Sequence, residues 1–76
     1  MALIKANMSR REDGRYQLKF RTNAECDEAT DLIRKTEGLP YSPFGGGLAV
    51  ERGVIFDSSV TYEDITSKLH DKLALE

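Results

Sequence analysis

Residues 54–73 read Val54-Ile55-Phe56-Asp57-Ser58-Ser59-Val60-Thr61-Tyr62-Glu63-Asp64-Ile65-Thr66-Ser67-Lys68-Leu69-His70-Asp71-Lys72-Leu73, and every local signal in them agrees. Val54, Ile55 and Phe56 form a short apolar run suited to a buried strand. Asp57, Ser58 and Ser59 favour a turn, because short polar side chains hydrogen-bond their own backbone. Thr61 then stands as a helix N-cap with Asp64 at the third helical position, a capping box, and Val60 with Ile65 makes a hydrophobic staple around it. Tyr62, Ile65, Leu69 and Leu73 recur at spacings of three and four, which puts one apolar stripe on the helix. The unit is a strand followed by an amphipathic helix that lies back on it.

The same unit occurs earlier. A shift of 36 positions lays Phe20 on Phe56, Thr22 on Ser58, Ala29 on Ile65 and Ile33 on Leu69. Upstream of each copy a small loop ends in glycine, Glu12-Asp13-Gly14 and Glu51-Arg52-Gly53. The chain therefore reads as one small domain, 1–76, made of two degenerate strand-strand-helix units at about 2–37 and 48–74, and such periodicity constrains topology.

A domain of 76 residues buries only about 60% of the surface its unfolded chain exposes. Hydrophobic residues at 39% and charged residues at 32% fit a globular chain rather than a disordered or membrane-spanning one. The N-terminus lacks the long apolar core of a signal peptide, and the lone Cys26 excludes an internal disulfide. The expectation is a cytoplasmic protein. Leu75-Glu76 is compatible with a cloning scar and is given no weight. The net charge of −2 hides a segregation. Residues 1–21 hold six basic side chains against two acidic ones, a balance of +4; the rest hold five against eleven, a balance of −6. One region is thus expected to attract anions.

The first hairpin shows where that region points. Ala2 to Met8 and Arg15 to Arg21 read as strands. A two-residue Asp13-Gly14 loop would mix polar and apolar groups on the core face. A three-residue loop, Glu12-Asp13-Gly14 with Gly14 left-handed, sets Ala6 against Phe20, Met8 against Leu18 and Arg10 against Tyr16. The three-residue loop is preferred, because a one-residue slip flips a whole strand. By the same rule Glu51-Arg52-Gly53 pairs Val50 with Val54 and Leu48 with Phe56. On the outer face Lys5 then lies opposite Arg21, Asn7 opposite Lys19, and Arg11 opposite Arg15. Like charges across a strand pair destabilise. They make sense where an anionic partner meets Lys5, Arg11, Arg15, Lys19 and Arg21, although long side chains splayed in water are the plainer alternative. A nucleic-acid platform would also need outward aromatic rings, and Tyr16, Phe20 and Phe56 all fall on the buried parity.

Helix one is expected over 24–36, capped by Thr22 with Glu25 or by Asn23, with Cys26, Ala29, Leu32 and Ile33 inward and Gly38 and Pro40 ending it. Cys26 reads as a small core residue. The longest loop, Gly38 to Gly47, carries Tyr41 and Phe44 among two prolines and three glycines. It reads either as a binding loop or as a cap on the open end of the core. Its glycines match neither the Walker nor the dinucleotide spacing. His70 is the only histidine and has no spacing tie to Cys26 or a serine. One Cys and one His do not make a zinc site. No cofactor, metal, membrane or small-molecule substrate is implied, and the chain is not expected to be an enzyme.

These readings give an α+β fold, ββαββα, with a four-stranded antiparallel sheet of order 1-2-4-3 and both helices on one face, a permuted ferredoxin-like arrangement. Function is expected to be that of a small protein-interaction module or of a self-associating chain joined through a strand edge. The alternative is a nucleic-acid-binding domain built on the basic hairpin.

Overall fold

The structure, a computed structural model, describes residues 3–76; the expected strand start at Ala2 lies outside them. The elements are β1 (Ile4–Arg10), β2 (Tyr16–Lys19), α1 (Asn23–Arg34), β3 (Tyr41–Gly45), β4 (Arg52–Phe56), α2 (Tyr62–Leu69) and β5 (Leu73–Leu75). They form an α+β fold with a single mixed sheet, ordered β3-β4-β2-β1-β5, and two helices.

The first hairpin has the three-residue loop. Met8 lies opposite Leu18 and Arg10 opposite Tyr16, while Arg11 N donates to Arg15 O at 2.7 Å. Gly14 takes φ 89°, the left-handed geometry that closes such a loop. In α2 the capping box is complete: Thr61 Oγ1 accepts from Asp64 N, and Asp64 Oδ2 accepts from Thr61 N, each at 3.1 Å. Thr22 rather than Asn23 caps α1, its hydroxyl accepting from Glu25 N at 3.1 Å. Apolar side chains from one face of the sheet, Ala6, Leu18, Val54, Phe56 and Leu73, meet Cys26, Ala29 and Ile33 of α1 and Ile65 and Leu69 of α2 in one buried cluster. Burying a side chain such as Phe56 or Ile65 contributes about 1.5–3 kcal/mol. Lys68 of α2 and Lys72 of the turn after it reach the residues that follow α1, to Glu37 O at 3.0 Å and Thr36 Oγ1 at 3.2 Å.

Three expectations are corrected. The sheet is not four-stranded and wholly antiparallel, and a fifth strand extends the expected order 1-2-4-3 beyond β1, so the permuted ferredoxin-like description does not hold. A fifth strand, β5, pairs parallel with β1 through Ile4–Leu73, Lys5–Ala74 and Ala6–Leu75. Leu73 is therefore not part of the helical stripe. Helix α2 ends at Leu69, and Leu73 is buried as a strand residue. Glu76, set aside with Leu75 in the sequence reading, bonds the backbone of β1: its N–H donates to Ala6 O and its carbonyl accepts from Met8 N, both at 2.9 Å. β1 is consequently not an edge.

The third correction concerns β3. It is Tyr41–Gly45, paired so that Tyr41 faces Phe56, Pro43 faces Val54 and Gly45 faces Arg52. The proposed Val50–Val54 and Leu48–Phe56 pairs do not form, and Leu48 and Val50 stand fully in solvent. The glycines decide this. Gly45, Gly46 and Gly47 take φ of 69°, 91° and 55° and begin the turn six residues earlier than the Glu51-Arg52-Gly53 rule supposed. Gly53 is no turn residue but the centre of the sheet, where a Cβ would collide with the Leu18 carbonyl and lie 3.0 Å from the Phe44 ring.

Candidate functional site

Both helices cover one face of the sheet and leave the other open. Cross-strand register builds that open face in two rows. Asn7, Lys19, Gly53 and Phe44 form one; Ser9, Gln17, Ile55 and Ser42 form the other. Phe44 lies over the bare backbone of Gly53, the contact an aromatic ring makes when its neighbour has no side chain. Gln17 is the one buried polar side chain among the described residues. Its amide donates to Ser9 Oγ at 3.0 Å and accepts from Arg11 Nη1 at 3.1 Å, so all its bonds run across the face.

The hairpin cations other than Arg10 gather on this face, but most meet carboxylates of the same chain. Arg15 donates through Nε at 2.9 Å and Nη2 at 2.7 Å to Asp13, whose other oxygen accepts from Arg15 N at 3.0 Å. Arg11 lies 3.7 Å from the same carboxylate. These bonds, the Arg15 side chain's first, hold Asp13 down at about 2. Lys19 pairs with Glu51. Arg21 pairs with Glu25 at 3.2 Å, which raises the guanidinium further. Lys5 and Arg10 are the hairpin cations outside any ion pair among the described residues. Lys5, Lys19 and Arg21 do converge, around a shallow cleft of about 130 Å³ that Asn7 and Glu76 also line. The like-charge repulsion read from the sequence is thus answered from within the fold, by Glu51 from the β3–β4 loop and Glu25 from the first turn of α1.

Tyr41 and Phe44 do not act together. Three residues apart on a strand, they lie on opposite faces. Tyr41 shares the parity of Phe56 and packs against the core, while Phe44 looks outward. Tyr41 instead borders a small cleft with Arg15, Pro40 and Asp57 at the sheet end.

Several features escaped the sequence reading. Arg10 stacks 5.6 Å over the Tyr16 ring, and Tyr16 lies 6.1 Å from Tyr62. Arg52 fastens the β3–β4 loop to α1, donating to Asn23 Oδ1 at 2.7 Å, Arg21 O at 3.1 Å and Ala49 O at 2.9 Å. The loop's true position was needed to see this. Cys26 is buried, and desolvation pushes its thiol up, against a nucleophilic role. His70 is exposed, with Nδ1 3.0 Å from the Ser67 carbonyl. Among the described residues no group of three His, Cys, Asp or Glu side chains is placed to hold a metal ion, and no helix is long and apolar enough to cross a membrane.

No protein-family model, curated protein or solved structure matches this chain.

Proposed function

We propose that this chain is a small non-catalytic protein-interaction module that binds a protein partner through the open face of its sheet. The observation that carries the reading is the pairing of Arg11, Arg15, Lys19 and Arg21 with Asp13, Glu51 and Glu25. Cations already neutralised release few counterions, which is the term that drives binding to a phosphate backbone. What the face offers instead is mixed: outward Phe44, half-buried Ile55 and hydrogen-bonding Gln17, Ser9 and Asn7, rimmed by charge. The apolar side chains lie toward the β3 edge and the polar ones on β2 and β1, and such a mixed surface is about as apolar as protein interfaces are as a whole. The competing nucleic-acid reading gains one outward ring, Phe44, but a single stacking platform beside compensated cations supports it less well.

The test is affinity capture with the chain immobilised, comparing wild type with a Phe44→Ala, Ile55→Lys double variant whose fold is checked by circular dichroism. A protein retained by the wild type and lost by the folded variant is the expected result. Equal capture by both would move the function off this face.

A further inference from the structure

The β3–β4 loop, residues 46–51, is fixed in place and holds two apolar side chains away from the protein. Gly45, Gly46 and Gly47 take left-handed φ, which a side chain at those positions would oppose. Ala49 N donates to Gly46 O at 2.9 Å and Gly46 N to Glu51 O at 3.1 Å, so the loop closes on itself. Two polar side chains then pin it. Asn23 Nδ2 donates to Gly47 O at 3.0 Å, and Arg52 Nη2 donates to Ala49 O at 2.9 Å while its Nε donates to Asn23 Oδ1 at 2.7 Å. Interleaved with these pinned positions, Leu48 and Val50 stand fully in solvent, the two most exposed large hydrophobic side chains among the described residues.

Laying Leu48 and Val50 back on the chain's own surface would remove apolar area from water, yet the bonds from Asn23 and Arg52 keep them out. That arrangement suits an anchor, because side chains fixed beforehand in the bound position lose little freedom on binding. The loop also continues the open face. It follows Phe44 and Gly45 directly, and its Glu51 reaches back to Lys19.

We infer that Leu48 and Val50 are anchor residues that fill an uncharged apolar pocket on a protein partner. The inference rests on the reading of the chain as a protein-binding module and names what the partner presents. Magnitude and charge select a protein pocket over other occupants. The two side chains hold about half the carbon of a myristoyl chain, and one such chain gives only marginal membrane binding. Anionic headgroups would need free cations beside the tip. Lys19 and Arg21 instead meet Glu51 and Glu25, and Arg52 is occupied by Asn23, Arg21 O and Ala49 O. A second copy meeting tip to tip would bury two small side chains from each chain, far less than a stable interface needs. A protein pocket adds contacts with the neighbouring face around the two anchors. Because the charges beside the loop are already matched within the chain, that pocket needs no charge of its own.

The test uses the protein retained in the affinity capture, identified by mass spectrometry, purified and titrated calorimetrically. Leu48→Ser and Val50→Thr, both at fully exposed positions, should each weaken its binding about tenfold or more, the loss expected of an anchor, and leave unfolding unchanged. Binding by both variants within about twofold of wild type overturns the inference and leaves the proposed function standing. A partner that Leu48→Ser releases and the Phe44→Ala, Ile55→Lys variant retains supports the anchors and moves the rest of the interface off the face. Retention of no protein overturns both. Two measurements need no partner. Nuclear spin relaxation should give the Leu48 and Val50 amides order parameters close to those of β4, falling in Asn23→Ala; wild-type values typical of a flexible loop overturn the inference. Vesicles of phosphatidylcholine, with and without phosphatidylserine, should leave the chain in solution. Vesicle binding that Leu48→Ser abolishes would make the tip a membrane anchor and overturn the inference.

Discussion

Asp64 shows how one side chain ties sequence to stability. Its carboxylate accepts the Thr61 N–H, and its own N–H is satisfied by the Thr61 hydroxyl, so two of the orphan donors at the start of α2 are satisfied reciprocally. The bond from Thr61 N–H holds the Asp64 carboxyl below its ordinary value of 3.8. Asp13, Asp31 and Asp57 are depressed as well, by Arg15, by Lys35 with Arg34, and by Ser59 respectively. A carboxyl lowered in the folded state contributes stability above its unfolded value, and that stability is lost as pH falls through the folded value. Unfolding followed by denaturant should therefore show stability level at neutral pH and declining from about pH 4 toward pH 2, the window between ordinary aspartate values and the lowest one here. Asp64→Asn should make that decline shallower. Thr61→Ala should cost about 0.5–2 kcal/mol, the usual loss for an N-cap. A change below a few tenths would mean that the cap does not hold α2.

At the scale of elements, the strand-turn-helix unit and the first hairpin were legible because several independent signals coincide in each. Thr61, Asp64, Val60 and Ile65 all mark the same helix start, and only one hairpin loop length keeps Met8 and Leu18 on one face. The rest was not legible for identifiable reasons. Leu73 follows Leu69 by four residues, which fits a continuing helix as well as a new strand, and its partner strand β1 lies at the far end of the chain. Tyr41–Gly45 contains Pro43, which argues against a central strand but is tolerated at an edge with its ring nitrogen toward solvent. Misplacing that strand hid the outward turn of Phe44 and with it the apolar part of the candidate face. Gly53 looked like a turn signal, yet its lack of a side chain serves the close approach of β2 and the Phe44 ring. Gly53→Ala should accordingly destabilise by roughly 1–3 kcal/mol, the range for overpacking a core, although alanine is the smallest change available. Leu69→Ala, which empties a fully buried site, should cost about 2–5 kcal/mol. Thermal or urea unfolding measures both, and a neutral Gly53→Ala would refute the packing described for the centre of the sheet.

For the whole molecule, the +4 balance of residues 1–21 and the −6 balance of the remainder come together in the fold rather than staying apart. Glu51 and Glu25, both from the acidic part, fold onto Lys19 and Arg21 of the basic part. Exposed ion pairs of this kind are each worth only about 0–1 kcal/mol, so their consequence is less for stability than for what the surface attracts. A face that looks cationic in sequence is close to balanced in three dimensions, and this is the ground for reading it as a protein-binding surface rather than a phosphate track. Replacing Glu25 and Glu51 by glutamine should unmask Lys19 and Arg21. The most direct measurement is a titration of wild type with mixed single- and double-stranded oligonucleotides at low and at high salt. The account predicts weak binding with a shallow salt dependence, steepening in the Glu25→Gln, Glu51→Gln variant. Tight wild-type binding whose log affinity falls by nearly one unit per phosphate contact for each tenfold rise in salt would contradict it.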